Sequence, residues 1–116
     1  MSSDGKPRQS THPLYCALRE EDVEKFNTLR GMGETCDFTS LDFRAMDLRE
    51  ANLQGMNLAN AYFRQSDLRG QDLRSCNLEG ASIHSAKISG AFFPDELTPE
   101  EIILSLNYGT RLRYRS

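Results

Sequence analysis

A five-residue period runs through the middle of this chain and constrains its fold more than any other feature. In the stretch CDFTSLDFRAMDLREANLQGMNLAN, Cys36 to Asn60, each block of five has Phe or Leu third and Asp or Asn second. An α-helix turns by about 100° per residue, so a period of five would spread the apolar residues around its whole circumference. A strand alternates its faces at every residue, so successive apolar residues would fall on opposite sides. The stretch therefore predicts neither a regular helix nor a flat strand.

The period continues without interruption to residue 95. The third residue of each block is Phe, Leu or Ile in all twelve repeats. These apolar centres are Phe38, Phe43, Leu48, Leu53, Leu58, Phe63, Leu68, Leu73, Leu78, Ile83, Ile88 and Phe93. The residue before the centre is Asp or Asn in eight of the twelve, and the fifth residue is often Gly, Ser or Asn, which favour turns. The repeat therefore decides the architecture of the middle of the chain.

The blocks ANLQG, SDLRG and CNLEG resemble the pentapeptide-repeat family, whose pattern is A(D/N)LXX, and the resemblance extends from Cys36 to Asp95. It implies an all-β solenoid core, a right-handed quadrilateral parallel β-helix with one repeat per side and four per coil. Twelve repeats would then make about three coils. Residue i would lie under residue i+20, which would place Phe43 under Phe63 and Arg44 under Arg64. The resemblance also implies that Asp and Asn serve the turns and the stacking of the coils.

The segments on either side of the repeat are expected to cap it, because a short stack exposes backbone edges and core at each open end. We expect five segments along the chain. They are a disordered leader over 1–12, a helical N-terminal cap over 13–35, the β-helix over 36–95, a C-terminal capping helix over 96–110 and a basic tail over 111–116.

The N-terminal cap has a helical pattern. Val23, Phe26 and Leu29 recur at a spacing of three, and the acidic residues before them predict a helix that begins near Arg19 to Glu21. Three apolar residues further upstream are expected to form a short separate element: Leu14, Tyr15 and Leu18.

The C-terminal cap carries explicit start and stop signals. Thr98 is placed as an N-cap, Pro99 as the first helical residue and Glu101 as the partner in a capping box. Gly109 is placed as the stop. These residues predict a helix from Pro99 to Tyr108.

The apolar surface of this helix has two interpretations. It either covers the open end of the coils, with Phe92 packed beneath it, or forms a surface for self-association. Several pentapeptide-repeat proteins dimerise through their C-terminal ends, which implies a possible homodimer. The self-association candidates are Ile102, Ile103, Leu106 and Tyr108. The Arg-rich tail after the helix is interpreted as solvated, with contact to an acidic partner or phosphate as the alternative.

The sequence offers no constellation for catalysis, a cofactor or a metal. Its three Cys residues lack a CxxC or Cys/His spacing, and neither of its two His residues has a ligand-like companion. No arrangement of Ser, His and Asp for nucleophilic catalysis can be assembled. We therefore expect no enzyme and no cofactor. The N-terminus lacks the apolar core of a signal peptide and no apolar run is long enough to span a membrane, so we expect a cytoplasmic protein without a membrane partner.

Outward-facing basic residues are the candidates for a partner face. By the twenty-residue arithmetic Arg44, Arg64 and His84 share one side of the coil, and Arg49 and Arg69 share the next. Neighbouring acidic residues could neutralise the arginines: Asp42, Asp47, Asp67 and Asp72. The pattern therefore indicates either a charge-paired surface exposed to solvent or a face that docks an acidic partner.

These observations favour a non-enzymatic scaffold or protein–protein interaction module whose partner is unknown. The alternative, implied by the resemblance, is a DNA mimic that binds DNA gyrase or another topoisomerase and inhibits it or protects it from quinolones. Three coils are short for such a rod, and the arginines dilute its acidity. Direct binding to nucleic acid is disfavoured by the net charge of −3.

Overall fold

The computed structural model of the chain describes residues 7–115. Its helices are α1 (Pro13–Arg19), α2 (Val23–Gly31) and α3 (Pro99–Tyr108). The repeats lie between α2 and α3, and we call residues 36–95 the repeat coil. Three features build this coil: a turn in each repeat, a side-chain bond that supports the turn, and backbone bonds between residues about twenty apart.

A tight turn follows each apolar centre from Phe38 to Ile88. The backbone N–H of Met46 donates to the carbonyl of Phe43 (3.3 Å), and Ala86 does the same to Ile83 (2.9 Å). The residue that closes most of these turns has a positive φ, for example 62° at Ala45 and 73° at Gly55. This is the geometry of a type II turn, which favours Gly or Asn at that point. The recurrent Gly, Ser and Asn at the fifth position therefore serve the turn.

The Asp or Asn before each centre supports the same turn. Its side-chain oxygen accepts a hydrogen bond from the backbone N–H two residues further on, an arrangement known as an Asx turn. All eight Asp and Asn residues at this position make the bond: Asp37, Asp42, Asp47, Asn52, Asn57, Asp67, Asp72 and Asn77. These residues are therefore required by the local backbone geometry.

Between the turns the chain returns on itself every twenty residues. Isolated parallel bridges join Asp42 to Tyr62 and Tyr62 to Ser82, and the other bridges within the repeat coil have the same spacing. The rings of Phe43 and Phe63 stack with their centroids 5.1 Å apart. The predicted placement of residue i under residue i+20 is therefore seen at this pair.

The prediction of an all-β core, a right-handed quadrilateral parallel β-helix, is wrong. Residues 7–115 contain no β-strand and no β-sheet, since the parallel pairs are isolated bridges and the regular elements are the three helices. The physical reason is the turn that follows each apolar centre, which leaves too few consecutive extended residues to form a strand. The coil is held by turns and single bridges instead.

The interior of the coil is mainly apolar, and Ser66 and Gln71 are polar residues buried in it. The centres from Leu48 to Leu58 are at most 1 % exposed, and the small residues before them also point inward. Gln71 stands where Ala or another small residue is usual, and it is buried. Its side-chain Nε2 donates to the carbonyls of Leu48 (2.5 Å) and Ala51 (2.7 Å), so its amide is satisfied inside the coil.

The N-terminal segment differs from the prediction in two respects. Helix α2 begins at Val23, later than Arg19 to Glu21, because Asp22 is its N-cap and accepts from the N–H of Lys25 (3.1 Å). The predicted disordered leader does not extend over residues 7–12. Arg8 pairs with Leu41 in a parallel bridge and accepts from the N–H of Asp42 (2.8 Å). The rest of the predicted leader, residues 1–6, lies outside the described residues.

Helix α3 has the predicted bounds, and Gly109 ends it with a φ of 76°. Thr98 accepts from the N–H of Glu101 (3.2 Å), but the capping box is not completed. The carboxylate of Glu101 instead accepts from the side chain of Arg113 (2.8 Å). The helix start is therefore fixed by Thr98 and Pro99, and Glu101 fastens the tail.

Helix α3 and the tail complete the backbone bonds of the last turns of the coil. Lower in the coil, the N–H of Phe63 donates to the carbonyl of Ser82, nineteen residues further on. The corresponding N–H groups at the upper end have no further repeat above them. Four of them donate to the cap: Leu78 to the Tyr114 hydroxyl, Gly80 to the Leu112 carbonyl, Ile83 to the Ser105 hydroxyl and Ser85 to the Leu106 carbonyl. The tail is therefore packed on the coil through Leu112 and Tyr114, and the interpretation as a solvated segment holds only for its exposed arginines.

We predict that Ser105→Ala destabilises the protein by about 1–3 kcal/mol, because it leaves the buried N–H of Ile83 without an acceptor. Ser105 is fully buried, whereas Asn107 is exposed on the same helix. Asn107→Ala is the matched control and should have little effect. The free energy of unfolding, measured by chemical denaturation, tests this. Equal stabilities of Ser105→Ala and the wild type would contradict the capping role.

Candidate functional site

A groove runs along the side of the repeat coil that carries Arg44, Arg64 and His84. It has a volume of about 460 Å³. Its floor and sides come from three successive levels of the coil and its upper wall from the cap. The lining residues are Pro7, Arg44, Tyr62, Arg64, Ser82, His84, Tyr108, Gly109 and Arg111. We call this feature the basic groove.

The basic groove has a charge opposite to that of the whole chain. Its lining includes the side chains of Arg44, Arg64 and Arg111, and no Asp or Glu is among the lining residues that the structure describes. The chain as a whole has a formal net charge of −3. A positive cleft on an acidic molecule focuses an attractive potential for anions at one place.

Arg111 is fixed in the groove by the repeat coil. Its terminal nitrogens donate to the carbonyl of Gly80 (2.8 Å) and the hydroxyl of Tyr62 (2.6 Å). Its guanidinium also lies 5.1 Å from the centroid of the Tyr62 ring, in cation–π range. None of these partners is charged. Arg111 therefore has a defined position, and no acidic group within residues 7–115 pairs with its positive charge.

Arg44 is held by the acidic residue of its own repeat. Its Nε and one terminal nitrogen donate to the two carboxylate oxygens of Asp42, both at 2.9 Å. Burial tends to raise the pKa of Asp42, but the hydrogen bonds from Arg44 outweigh it and leave the pKa lowered. Arg44 therefore contributes to the groove as one half of an ion pair.

Arg64 is the exception among the arginines that follow an apolar centre. Its repeat has Tyr62 where Asp stands in the repeats of Arg44, Arg49 and Arg69. Arg64 is exposed and makes no ion pair or side-chain hydrogen bond with any residue of the described range 7–115. Within residues 7–115 the N–H donors of its guanidinium are thus without an acceptor.

His84 lies at the upper end of the groove beneath the end of α3. A Cβ atom added at Gly109 would lie 3.1 Å from its Nδ1, so the cap packs closely on the imidazole. Nδ1 is buried and has no hydrogen-bond partner within the part of the chain that the structure describes. The backbone carbonyl of His84 accepts from the N–H of Gln65 (3.0 Å), which keeps the residue one level above Arg64.

The five predicted partner-face residues divide into two groups. Arg44, Arg64 and His84 line the basic groove, whereas Arg49 and Arg69 do not. Arg69 donates to Asp67 (2.7 Å), and Arg49 pairs with Asp47 (2.8 Å) and reaches Asp67 (3.3 Å). The second group is the charge-paired surface that the sequence analysis kept as an alternative.

The acidic members of these pairs have lowered pKa values. Hydrogen bonds from Arg69 are the main cause at Asp67, where the pKa falls from 3.8 to about 2. Asp72 has a pKa of about 2 because Arg74 donates to it in the same way. Arg74 also lies 4.9 Å from the ring centroid of Phe92, which is exposed. The expectation that Phe92 packs beneath α3 is therefore wrong.

The exposed face of α3 is apolar. Ile103 and Tyr108 are 54 % and 74 % exposed, and Leu104, which the sequence analysis did not select, is 37 % exposed. The other two candidates, Ile102 and Leu106, are half-buried against the core of the coil. The four self-association candidates therefore divide between the covering face and the exposed face of the helix.

Sequence reasoning did not place five of the lining residues on this face: Pro7, Tyr62, Ser82, Tyr108 and Gly109. It considered Arg111 only as part of the tail, with contact to an acidic partner or phosphate as the alternative, and did not place it in the groove. Tyr62 and Ser82 were detectable as departures from the Asp or Asn rule of the repeat. Arg111 was not, because its position depends on the tail folding back over the coil. Within residues 7–115 no group of His, Cys, Asp and Glu has the arrangement of a metal site, and no helix has the length and hydropathy needed to cross a membrane.

The fold and the repeat define the chain as a repeat protein. The family described as pentapeptide repeats matches residues 36–74 and 57–93, with eight copies of the repeat. These matches span half of the chain, so the protein belongs to the pentapeptide-repeat family, as its sequence predicted. Comparison with curated proteins and with solved structures gives no match.

We predict that the ion pairs make stability depend on acid pH. The folded state lowers the pKa of Asp67 to about 2, so the charged carboxylate stabilises the fold above about pH 4 and this contribution is lost as the pH falls towards 2. Asp67→Asn should reduce stability at pH 7 and lose less stability between pH 4 and 2 than the wild type does. The amide can still accept the N–H of Arg69, so the turn is retained.

Thermal denaturation followed by circular dichroism across this pH range would check the prediction. Glu79→Gln removes an exposed carboxylate on the same coil and is the control. It should leave the steepness of the acid dependence unchanged. The explanation fails if Asp67→Asn and the wild type lose stability in parallel.

Proposed function

We propose that the protein is a non-enzymatic interaction module that docks an acidic segment of a protein partner in the basic groove. The observation that carries this proposal is the state of Arg64, an exposed guanidinium without a partner in the described chain, in a groove lined by two more arginines and by no carboxylate. Repeat surfaces are commonly used to bind other macromolecules. We also expect the protein to act in the cytoplasm.

The rigidity of the groove supports docking. Arg111 is held by Tyr62 and Gly80, and Arg44 is held by Asp42. Side chains that are already ordered lose less conformational entropy when a partner binds. Charge complementarity of this kind mainly increases the association rate and the specificity.

A DNA mimic directed at gyrase or another topoisomerase is the alternative function. Such a mimic must present a surface that resembles the acidic backbone of duplex DNA. The positive lining of the basic groove gives no support to this interpretation. A supercoiling assay with purified gyrase would test it, since either inhibition or protection from a quinolone would favour the mimic over our proposal.

We predict that Arg64→Glu weakens binding to acidic peptides at least about tenfold, because it replaces a positive charge that has no acidic partner in the described chain by a negative one in the lining of the groove. The probe is a fluorescent peptide rich in Asp and Glu, and binding is measured by fluorescence anisotropy at low and physiological salt. The side chain of Arg64 makes no hydrogen bond or ion pair within the described chain, and the bond that its backbone carbonyl accepts from Ala45 does not depend on the side chain, so the substitution should leave the fold intact.

Lys25→Glu is the matched control. Lys25 is exposed on α2, outside the residues that line the groove, and the substitution changes the net charge by the same amount. It should leave peptide binding close to that of the wild type. Equal losses in both variants would reduce the effect to net charge and would overturn the proposed docking site.

Self-association is a second candidate, favoured by the exposed apolar face of α3. Ile103, Leu104 and Tyr108 present this face to solvent, and burying it in a dimer would remove it from water. We therefore propose that two copies associate through α3. The adjoining residues Ile102 and Leu106 are already packed on the coil and would support the face from beneath.

We predict that Ile103→Asp converts a dimer to a monomer. A carboxylate placed in the middle of a buried apolar contact would be desolvated without a partner. Sedimentation equilibrium at micromolar to millimolar concentrations is the measurement. Asn107→Asp, an exposed substitution on the same helix, is the control for added charge. A wild-type protein that remains monomeric over the whole range would exclude this association.

A further inference from the structure

The basic groove carries an excess of two positive guanidinium charges. Of its three arginines, Arg44 is neutralised by Asp42 through two hydrogen bonds. Arg64 pairs with no acidic group of the described chain, and within residues 7–115 the guanidinium of Arg111 donates to a carbonyl and a phenol. A single carboxylate would balance only one of the two remaining charges. A phosphomonoester carries a charge of about −1.5 to −2 at neutral pH and would balance both.

The hydrogen-bond donors of the groove also suit a tetrahedral anion. The guanidinium of Arg64 has all of its donors available, and its planar fork matches two oxygens of a phosphate. The hydroxyls of Ser82 and Tyr108 line the same groove and have no hydrogen-bond partner within residues 7–115. The groove therefore has hydrogen-bond donors on both the coil and the cap, and this arrangement suits an anion with three terminal oxygens.

The size and surroundings of the groove indicate what carries the phosphate. Its volume of about 460 Å³ exceeds what an isolated phosphate needs, and it is open along the side of the coil. Tyr62 and Tyr108 flank the charged centre with aromatic surface. An open groove with this lining suits an extended peptide whose modified side chain reaches the arginines. The net charge of −3 disfavours a strongly anionic polymer or membrane surface.

We propose that the basic groove binds a phosphorylated side chain of a protein partner, with Arg64 and Arg111 balancing the phosphate dianion. This inference rests on the proposed docking function and specifies its ligand. The guanidinium of Arg64 binds the phosphate directly. Arg111, which is held over the ring of Tyr62, supplies the second positive charge. Ser82 and Tyr108 donate to the remaining oxygens.

The test uses peptide libraries that are identical except for a fixed central residue, which is phosphoserine, phosphothreonine, phosphotyrosine, Glu or Ser. Binding to the full-length protein is measured by fluorescence anisotropy at physiological salt. At least one phosphorylated library should bind about tenfold or more tightly than the Glu library. Arg64→Gln should abolish this preference, and Arg64→Lys should restore it only in part because Lys lacks the fork.

Lys25→Gln removes one positive charge outside the groove and should retain the preference. Equal binding of the phosphorylated and Glu libraries would overturn the phosphate inference and leave acidic docking standing. Binding of no library would overturn the phosphate inference and remove the support for the docking site. If inorganic phosphate or a nucleoside monophosphate competes with an affinity equal to that of the phosphopeptide, the inference that a peptide carries the phosphate would be overturned.

Discussion

The hydrogen bond that a backbone N–H donates to the Asp or Asn side chain two residues earlier is the interaction on which the rest of the structure depends. In eight of the twelve repeats it holds the chain in the conformation that allows the next residues to turn, with a positive φ at positions such as Ala45 and Gly55. Only because the chain turns at this interval do the apolar centres all face one interior. The stacked rings of Phe43 and Phe63 are a consequence of that regular turning.

The frequent turns leave backbone groups at the end of the coil without repeat partners, and the C-terminal cap supplies partners for them. Extended segments too short to form strands give only isolated bridges, so each level of the coil relies on the next for its backbone bonds. At the upper end the next level is missing, and groups of quite different chemistry replace it. The hydroxyls of Ser105 and Tyr114 and the carbonyls of Leu106 and Leu112 occupy the places that repeat carbonyls hold lower in the coil. The tail is therefore a structural part of the protein.

Sequence reasoning succeeded where the signal is local. The bounds of α3 follow from Thr98, Pro99 and Gly109, and the role of Asp and Asn follows from the repeat. The all-β class was predicted from the family resemblance alone and is wrong. Five residues that include a turn leave too little extended chain for a strand. Sequence reasoning also failed for Arg111, whose place beside Tyr62 depends on a tail that folds back across 49 residues of sequence. A contact of this kind produces no periodic pattern in the sequence.

The basic groove arises where the repeat departs from its own rule. An Asp at position 62 would be placed to pair with Arg64, as Asp42 pairs with Arg44 and Asp67 with Arg69. Tyr at this position removes that partner and at the same time offers a ring and a hydroxyl that hold Arg111. Tyr in place of Asp at position 62 thus deprives the guanidinium of Arg64 of this acidic partner and positions the guanidinium of Arg111. Since the Asp and Asn residues before the apolar centres are occupied by the turns, the positions that break the pattern are those whose side chains the turns do not require.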